Sequence, residues 1–501
     1  MNKSRFEIAL ERHQAGRLAE AEPLYRQVLA DQPNHPDALN LLGVLAAQIG
    51  RFDDAAELIG RACALCPNVY DYRKHLGGAL SEKGDFAAAA DAYREALRLN
   101  PDCYISHDLL GAALRETGEL DEAIICHRRS LAIKSDNLTA HLNLGLTLRK
   151  RGWIEESMAS YRRAIAIAPE HCDGHWNLSV LLLLTGDYEH GWREYEWRWQ
   201  RKNFPTLWPA LPQPRWMGED LTGKTLLVHT EQGYGDAIKF VRYVPMLAAR
   251  GATVILMCQP ALARLMRSVE GVNQIIPGIR SPAELPPYDM HCPIMSLPFL
   301  LGTRLETVPA NVPYLRPDPS LTQHWRAKIG AASAGPKIGR HKVNSLKVGL
   351  AWAGNPDHII DACRSAKLAH FAPLAGTNAT FFSLQKGPAA SQAASPPCGM
   401  ELIDLTEDLH DFADTAALVA NLDLVITVDT AVAHVAGAVG IPAWMLIAAE
   451  HDWRWLLDRE DSPWYPTVRL FRQRNPGQWL EVVERVAREL PQYGQEIRLA
   501  A

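Results

Sequence analysis

The chain has 501 residues, of which 47% are hydrophobic and 22% are charged, and its formal net charge is −5 at pH 7. This length predicts roughly three domains at about 150 residues each. The slight negative charge argues against a general affinity for nucleic acid. The longest apolar run, LSVLLLL at residues 178–184, is far shorter than the ~20 residues that a membrane span needs. We therefore expect neither nucleic-acid binding nor a membrane span.

Nine cysteines are scattered along the chain, and only Cys63 and Cys66 form a close pair. Because no second pair stands at zinc-binding spacing, we expect buried thiols in a reducing cytosol and no metal. The opening stretch, MNKSRFEIALERHQAG, is amphipathic and charged and lacks the apolar core of a signal peptide. These features predict a cytoplasmic protein.

The first two hundred residues repeat with a period of 34. The positions that keep this step are Gly16, Gly50, Gly84, Gly118, Gly152 and Gly186; Pro33, Pro67, Pro101 and Pro169; Leu42, Leu76, Leu110, Leu144 and Leu178; and Gly43, Gly77, Gly111 and Gly145. This pattern resembles the tetratricopeptide (TPR) repeat, in which each unit is a helical hairpin. It predicts about five hairpins and a degenerate sixth, stacked into a solenoid.

Glycine has two predicted uses in these hairpins. Gly43 and its equivalents let neighbouring helices approach closely, and Gly50, Gly84 and Gly118 end the first helix of a hairpin with positive φ. The sixth unit is crowded with Trp192, Trp197 and Trp199. We expect these rings to cap the solenoid against the next domain rather than to bind a ligand.

Two functions fit a solenoid of this kind: a spacer or dimerisation surface, and a groove for a polypeptide. Asn143 and Asn177 are 34 residues apart, and each is followed by leucine. They resemble the asparagine ladder of the TPR groove in O-GlcNAc transferases, which grips the substrate backbone. The resemblance implies a peptide groove that contains Asn143 and Asn177.

After residue 222 the pattern changes to short β-rich runs that alternate with helical stretches, which predicts parallel sheets. The predicted strands are 225–229, 253–258, 273–276 and 288–293, then 347–352, 380–385, 401–405, 422–427, 443–447 and 467–471. A final helix is predicted over GQWLEVVERVAREL, with Leu480, Val483, Val486 and Leu490 near helical spacing. Ligands of such sheets bind at the carboxyl ends of the strands.

Four loops follow predicted strands, and two of them carry a recognisable pattern. The stretch DTAVAHVAGAVGIP, from Asp429, is similar to the signature of heptosyltransferases, glycosyltransferase family 9, and GYGDAIKFVRYVP, from Gly233, is similar to that family's N-terminal segment. The resemblance covers about residues 223 to 475 and implies a GT-B fold of two Rossmann-like domains. The central lysine motif of the family is replaced here by WAGNPDHIIDACRS and SLQKG.

The resemblance also implies roles for individual residues. Asp236 is the expected general base, since a hydroxyl that attacks a sugar must lose its proton; a helix N-cap is the alternative for this aspartate. Gly233, Tyr234 and Gly235 form the acceptor-side loop. The expected donor-binding residues are Trp352, Gly354, Asn355, Arg364, Gln385, Lys386, Asp429, Thr430 and His434. Arg364 and Lys386 are chosen because the charge on a leaving phosphate needs cations; a solvated surface position is the alternative for each. For His434, a place in the core is the alternative.

The predicted fold class is therefore α + α/β, an N-terminal TPR α-solenoid followed by a GT-B glycosyltransferase. The predicted segments are a TPR array at 1–200, a linker at 201–222, an acceptor-side domain at 223–318, a second linker at 319–345, a nucleotide-sugar-binding domain at 346–475, and a C-terminal helix and tail at 476–501.

The leading functional hypothesis is an inverting glycosyltransferase that uses a nucleotide-sugar donor and needs neither cofactor nor metal. Its acceptor is a protein bound by the TPR groove, with flagellin as a candidate because the architecture resembles bacterial TPR glycosyltransferases that modify flagellin. UDP-, GDP-, ADP- and CMP-linked donors all fit. One alternative is a non-catalytic TPR scaffold with a sugar-nucleotide-binding domain. A Rossmann oxidoreductase fits less well, because EQGYGDA lacks the full G-x-G-x-x-G.

Overall fold

A computed structural model describes residues 3–202, 204, 210–279, 281–333, 345–358 and 361–500. The chain divides into two compact units, Met1–Leu181 and Leu182–Ala501. Parts of both predicted linkers, and Ile359 and Ile360 of the WAGNPDHIIDACRS loop, lie outside the described residues.

The first unit is a solenoid of helical hairpins, in which successive helices between residues 5 and 167 pack against each other. Its helices are α1 (Arg5–Gln14), α2 (Leu18–Asp31), α3 (Pro36–Gln48), α4 (Phe52–Leu65), α5 (Tyr70–Lys83), α6 (Phe86–Leu99), α7 (Tyr104–Thr117), α8 (Leu120–Ile133), α9 (Leu138–Arg151), α10 (Ile154–Ile167) and the first part of α11 (Cys172–Thr185). Helices α5, α7 and α9 end at Gly84, Gly118 and Gly152, with φ of +87°, +89° and +88°. The predicted helix ends at Gly84 and Gly118 are thus confirmed, whereas the C-cap of α3 is Ile49, and Gly50, with φ of +80°, follows it.

The repeated glycines inside these helices stand where two helices touch. A Cβ added to Gly43, Gly77, Gly111 or Gly145 would lie 2.5–2.6 Å from a side chain of the next helix, respectively Ile59, Tyr93, His127 and Tyr161. Real Cβ atoms do not approach other atoms so closely, so each of these positions requires glycine. The predicted close approach is confirmed.

The second unit opens with the end of α11, then α12 (Tyr188–Tyr195) and a 3₁₀ turn at Glu196–Gln200. Trp192, predicted to cap the solenoid, is fully buried within this unit, where its ring contacts Phe240, Trp453 and Trp464. Residues 182–200, assigned by the sequence to a degenerate sixth repeat, therefore belong to the second compact unit.

Within the described residues, the first sheet of this unit has four parallel strands in the order β3-β2-β1-β4. They are β1 (Thr225–His229), β2 (Thr253–Met257), β3 (Val272–Ile276) and β4 (Met290–Pro293), and the helices between and after them are α13 (Tyr234–Phe240), α14 (Val244–Ala248), α15 (Ala263–Met266) and α16 (Leu297–Leu300). The order reverses at β1, whose two neighbours are β2 and β4.

The second sheet, as described, has six parallel strands in the order β10-β9-β8-β5-β6-β7. They are β5 (Leu346–Ala351), β6 (Ala379–Ser383), β7 (Leu402–Asp404), β8 (Leu424–Val428), β9 (Ala443–Ile447) and β10 (Val468–Arg472). Counted from its first strand, this is the 3-2-1-4-5-6 order of doubly wound sheets, which bind ligands where the order reverses. That point lies between the carboxyl ends of β5 and β8.

The helices of this part of the chain are α17 (Pro319–Ser333), α18 (Asp361–Arg364), α19 (Phe412–Val419), α20 (Ala431–Val439) and α21 (Trp479–Ala500). Helix α17 occupies much of the stretch that the sequence assigns to a second linker, and it buries Trp325 and Ile329. In α21 the predicted apolar face is shifted: Leu480 is exposed, while Trp479 and Val482 join Val483 in the core.

Candidate functional site

Asp236 lies at the start of α13, directly after the loop that follows β1. It is the third residue of the helix, and its Oδ2 accepts a hydrogen bond from the backbone N–H of Gly233 at 3.3 Å. Gly233, rather than Asp236, is the N-cap residue. The other carboxylate oxygen, Oδ1, accepts from the Arg454 guanidinium. The expected base is thus an ion-paired carboxylate that also caps its own helix.

Arg454 belongs to the Trp453–Trp455 turn that follows β9 of the second sheet. Its Nη1 donates to Asp452 Oδ1 at 2.7 Å, and its side chain is largely buried. Burial by itself would lower the pKa of Arg454, but Asp236 and Asp452 raise it above its ordinary value. In the same way burial would raise the pKa of Asp452, but Arg454 lowers it. Both groups are therefore charged at neutral pH.

Lys239 follows Asp236 by one turn of α13 and is fully buried. Its Nζ lies 3.7 Å from the ring centroid of Trp464 and 4.8 Å from that of Trp453. Within the described part of the chain, this nitrogen has no hydrogen-bond partner. Burial, and next to it the Arg454 charge, lower the pKa of Lys239 well below its ordinary value. A lysine in such surroundings holds its proton weakly.

Asp429 and Thr430 connect β8 to α20 at the point where the strand order reverses. Asp429 Oδ2 accepts from the indole N–H of Trp455 at 3.0 Å, and burial and the Asp452 charge raise the pKa of Asp429. Thr430 is the N-cap of α20, but its hydroxyl contacts Thr427 Oγ1 at 3.0 Å and makes no capping bond. The backbone N–H groups of the first turn of α20 are therefore not capped by this side chain.

His434 lies one turn into α20 and is buried. Its Nδ1 is 2.9 Å from the Tyr465 hydroxyl, and its ring lies against Trp455 with a centroid distance of 5.5 Å. Burial, followed by the charge of Lys239, lowers the pKa of His434 well below its ordinary value, so the imidazole is neutral at pH 7. The structure places His434 in a packed position; a role in ligand binding stays a prediction.

The loop after β5 forms a small hydrogen-bonded cluster. The N–H of Gly354 donates to Ser365 Oγ at 2.8 Å, and Ser365 Oγ donates to Asp361 Oδ1 at 2.8 Å. Arg364 pairs with the same carboxylate at 3.3 Å. A Cβ on Gly354 would lie 2.6 Å from Asp361 Oδ1 and 2.7 Å from Arg364 Nη2, so a larger residue there would displace these side chains. Asn355 is exposed, and its Oδ1 accepts from the Asp357 N–H.

His358 belongs to the same loop. Burial and then Arg364 lower the pKa of His358, whereas the charges of Asp452, Asp361 and Asp236 oppose that shift. The Asp236 charge thus acts on the pKa of His358. A site shared by the two loops stays a prediction.

Two predicted donor-binding side chains, Gln385 and Lys386, form hydrogen bonds within the protein itself, and a third, Trp352, is packed in the core. Gln385 is buried; its Oε1 accepts from the N–H groups of Trp352 and Ala353, and its Nε2 donates to the carbonyls of Ala353 and Lys386. Trp352 is fully buried in the core of the second sheet. Lys386 donates to the Thr406 carbonyl at 2.8 Å, in the loop after β7. Gln385 thus shapes the β5 loop. Direct contact of Gln385 or Trp352 with a donor stays a prediction.

The loop before Asp236 is fixed by a buried ion pair that sequence reasoning missed. Nε and Nη2 of Arg198 donate to the two carboxylate oxygens of Glu231 at 3.0 and 2.9 Å. Gln232, the next residue, has φ of +58°, an uncommon conformation for a residue with a side chain. Sequence reasoning also missed Arg454, although an arginine between two tryptophans that follows a predicted strand indicates a candidate site residue.

In the solenoid, Asn143 Nδ2 donates to Asp108 Oδ2 at 3.1 Å. Asp108 also pairs with the buried His127 at 2.7 Å. One carboxamide N–H of Asn143 thus bonds within the array. Its contact with a bound peptide stays a prediction. Asn177 is half-buried in α11.

The described residues contain no group of three or more His, Cys, Asp or Glu side chains that could hold a metal ion. Among these residues, no helix is long and apolar enough to cross a membrane. All nine cysteines are free thiols.

Comparison with known proteins identifies the repeats. Tetratricopeptide repeat families match residues 6–69, 76–137 and 138–171. Two crystal structures resemble this part of the chain: that of MamA (24% identity, 34% of this chain and 99% of MamA, TM-score 0.32) and that of a thermophilic TPR protein of Thermus thermophilus (24% identity, 36% of this chain and 98% of that one, TM-score 0.30). The N-terminal solenoid is thus built of TPR repeats, which imply that it binds a protein.

One curated relative extends further. Protein FlbA of Caulobacter vibrioides (strain ATCC 19089 / CIP 103742 / CB 15) is 32% identical over 336 residues, which is 62% of this chain and 53% of FlbA. The chain spans about half the length of this relative, whose name states no activity.

Proposed function

We propose that the chain is a glycosyltransferase that moves a sugar from a nucleotide-sugar donor to a hydroxyl group of a protein. The second unit contains two parallel sheets, each with a strand-order reversal, and this supports a GT-B arrangement. The two stretches that resemble glycosyltransferase family 9 lie at these reversals, after β1 and after β8. The sites of doubly wound proteins are found at such positions.

The observation that carries the proposal is the pairing of Asp236, from the first sheet, with Arg454, from the second. An inverting transfer needs a carboxylate base for the acceptor hydroxyl and a cation for the leaving phosphate in one place, and here these two groups come from opposite sheets. The acceptor oxygen forms a bond to the anomeric carbon and gives its proton to the Asp236 carboxylate. The bond from that carbon to the phosphate oxygen breaks, and its electron pair leaves with the nucleotide phosphate.

The leaving phosphate requires cations and N–H donors nearby. The uncapped first turn of α20 offers backbone N–H groups and the positive end of the helix dipole. Arg364, in the loop on the other side of the reversal, offers a guanidinium whose side chain is 17% exposed. We assign the donor nucleotide to the space between these two loops.

The TPR array implies a protein partner, and this partner is the proposed acceptor of the sugar. Flagellin stays the candidate that the architectural resemblance suggests. The competing function is a TPR scaffold whose second unit binds a sugar nucleotide without turning it over. Transfer or hydrolysis of a donor by the purified chain would exclude that alternative.

The test is a calorimetric screen of UDP, GDP, ADP, CDP and CMP with the full chain, with Arg364→Met and with Arg250→Met. Arg250 is exposed at the end of α14, so its variant makes the same chemical change outside the site. We expect saturable binding of one nucleotide that weakens about tenfold in Arg364→Met, as for loss of one charged contact, and not in Arg250→Met. Absence of binding by all five nucleotides would reject the proposed function.

A further inference from the structure

Two buried nitrogen donors beside Asp236 have no acceptor. In the described part of the chain, Arg454 Nε and Lys239 Nζ are buried atoms without a hydrogen-bond partner. The Arg454 guanidinium carbon lies 4.4 Å from the ring centroid of Trp453, and Lys239 Nζ lies 4.8 Å from the same ring. Buried donors without partners are rare because each costs free energy. Two unpartnered donors beside the same indole ring indicate a binding site for an anion.

The neighbouring groups fit the same interpretation. The cations Arg454 and Arg242 oppose protonation of Lys239, whereas Asp452 and Asp236 favour it. Asp236 and Asp452 are also the carboxylates that hold Arg454. Arg454 thus donates its hydrogen bonds to carboxylates, and an incoming phosphate can replace these carboxylates as the acceptor.

We propose that Arg454, supported by Lys239, binds the phosphate of the donor, and that this phosphate takes the guanidinium from Asp236 and frees the carboxylate to act as base. The inference rests on the proposed function and predicts the order of substrate binding: the donor binds first and the acceptor binds second. The phosphate oxygens accept hydrogen bonds from Arg454, and the carboxylate released from the pair accepts the proton of the acceptor hydroxyl. The reaction needs no reactant other than the donor and the acceptor.

The proposal predicts effects of opposite sign at the two ends of the ion pair. Loss of Arg454 removes a phosphate contact, so affinity for phosphate-bearing ligands falls. Loss of the Asp236 charge removes the competitor for Arg454, so that affinity rises. A pair that only holds the two sheets together would give no gain in either variant. Asp236→Asn keeps an oxygen that can accept from the Gly233 N–H, so the helix start is preserved.

The experiment is calorimetric titration of the full chain with three ligands: the nucleoside diphosphate found in the screen, its nucleoside, and pyrophosphate. The variants are Arg454→Met, Asp236→Asn and Lys239→Met, with Arg250→Met as the control. We expect about tenfold weaker diphosphate binding in Arg454→Met, severalfold tighter binding in Asp236→Asn, and unchanged nucleoside binding in both. Equal diphosphate affinity in wild type and Arg454→Met, or weaker binding in Asp236→Asn, would overturn the proposal.

A second readout serves in case Arg454→Met does not fold. Diphosphate placed beside Lys239 favours its charged form, so binding at pH 7.5 takes up a proton, which shows as a different apparent enthalpy in Tris and in HEPES. We expect Lys239→Met to lose this difference; a difference that persists unchanged in Lys239→Met contradicts the role of the lysine. Pyrophosphate binding that needs Arg454, without binding of any nucleotide, would keep the phosphate subsite and reject the nucleotide-sugar function.

Discussion

Gly235 lies directly against the imidazole of His434. A Cβ added to Gly235 would be 2.7 Å from His434 Cδ2 and 3.1 Å from Nε2. One residue belongs to the stretch after β1 and the other to the stretch after β8, so the two stretches that resemble family 9 meet at this contact. Helices α13 and α20 pack together here, and this contact places Asp236 beside the loops of the second sheet.

A methyl group at position 235 should disrupt this contact. We expect Gly235→Ala to lower the free energy of unfolding by about 1–3 kcal/mol, the usual cost of overpacking a core, and to weaken activity. Chemical denaturation measures the effect. Gly233→Ala is the control, because the nearest atom to its added Cβ is Asp236 Oδ2 at 3.6 Å. The penalty should shrink when His434→Ala is combined with Gly235→Ala; additive penalties would show that the clash is not with His434.

The repeats could be predicted from the sequence because the same close contact between two helices requires a glycine at a fixed period. Gly77 and Gly111 face equivalent rings in equivalent hairpins, so the pattern itself carries the fold. The strand-end loops could be predicted as well, since hydrophobic runs mark the strands. The internal bonds of Gln385 could not be predicted, because its position at a strand end does not reveal that backbone groups bond to its amide.

Arg454 could not be predicted as the partner of Asp236. The two residues come from different sheets, and no spacing rule connects them. Their contact depends on how α13 packs against α20, which is a property of the folded unit rather than of either stretch. The same holds for Arg198 and Glu231, whose pairing requires the 3₁₀ turn at Glu196–Gln200 to lie beside the end of β1.

Adjacent glycines in α5 provide a test of the solenoid packing. A Cβ on Gly77 would lie 2.5 Å from the Tyr93 ring, whereas one on Gly78 would have only the Tyr93 hydroxyl oxygen nearby, at 3.9 Å. We expect Gly77→Ala to lower the thermal midpoint of the helical signal. Gly78→Ala should leave the midpoint unchanged or raise it, because alanine favours a helix over glycine by up to about 1 kcal/mol. Equal effects of the two variants would refute the packing argument.

Substitution of Asp236 separates its two roles. Asparagine cannot take up the proton of an acceptor hydroxyl, so we expect Asp236→Asn to lower sugar transfer about a hundredfold to ten-thousandfold, the usual contribution of a general base. Its side-chain oxygen can still accept from Gly233, so the capping bond survives. The measurement is the transfer rate at saturating donor, together with the thermal midpoint. A variant that is folded and fully active would leave Asp236 with a capping role only.

Acid should destabilise the second unit through His229, at the end of β1. Its Nε2 is 3.2 Å from His291 Nδ1, and burial, then the His291 charge, lowers the pKa of His229 to about 3. The unfolded chain binds a proton near pH 6.5, its ordinary value, but the folded chain does not do so until about pH 3. Stability is therefore full above about pH 6.5 and falls below it, by about 1.4 kcal/mol per pH unit for this one group. Urea unfolding at pH 7, 6 and 5 should show that His229→Asn lacks this part of the slope, while the exposed His324→Asn retains it; equal slopes in wild type and His229→Asn would mean that His229 is protonated in the folded chain.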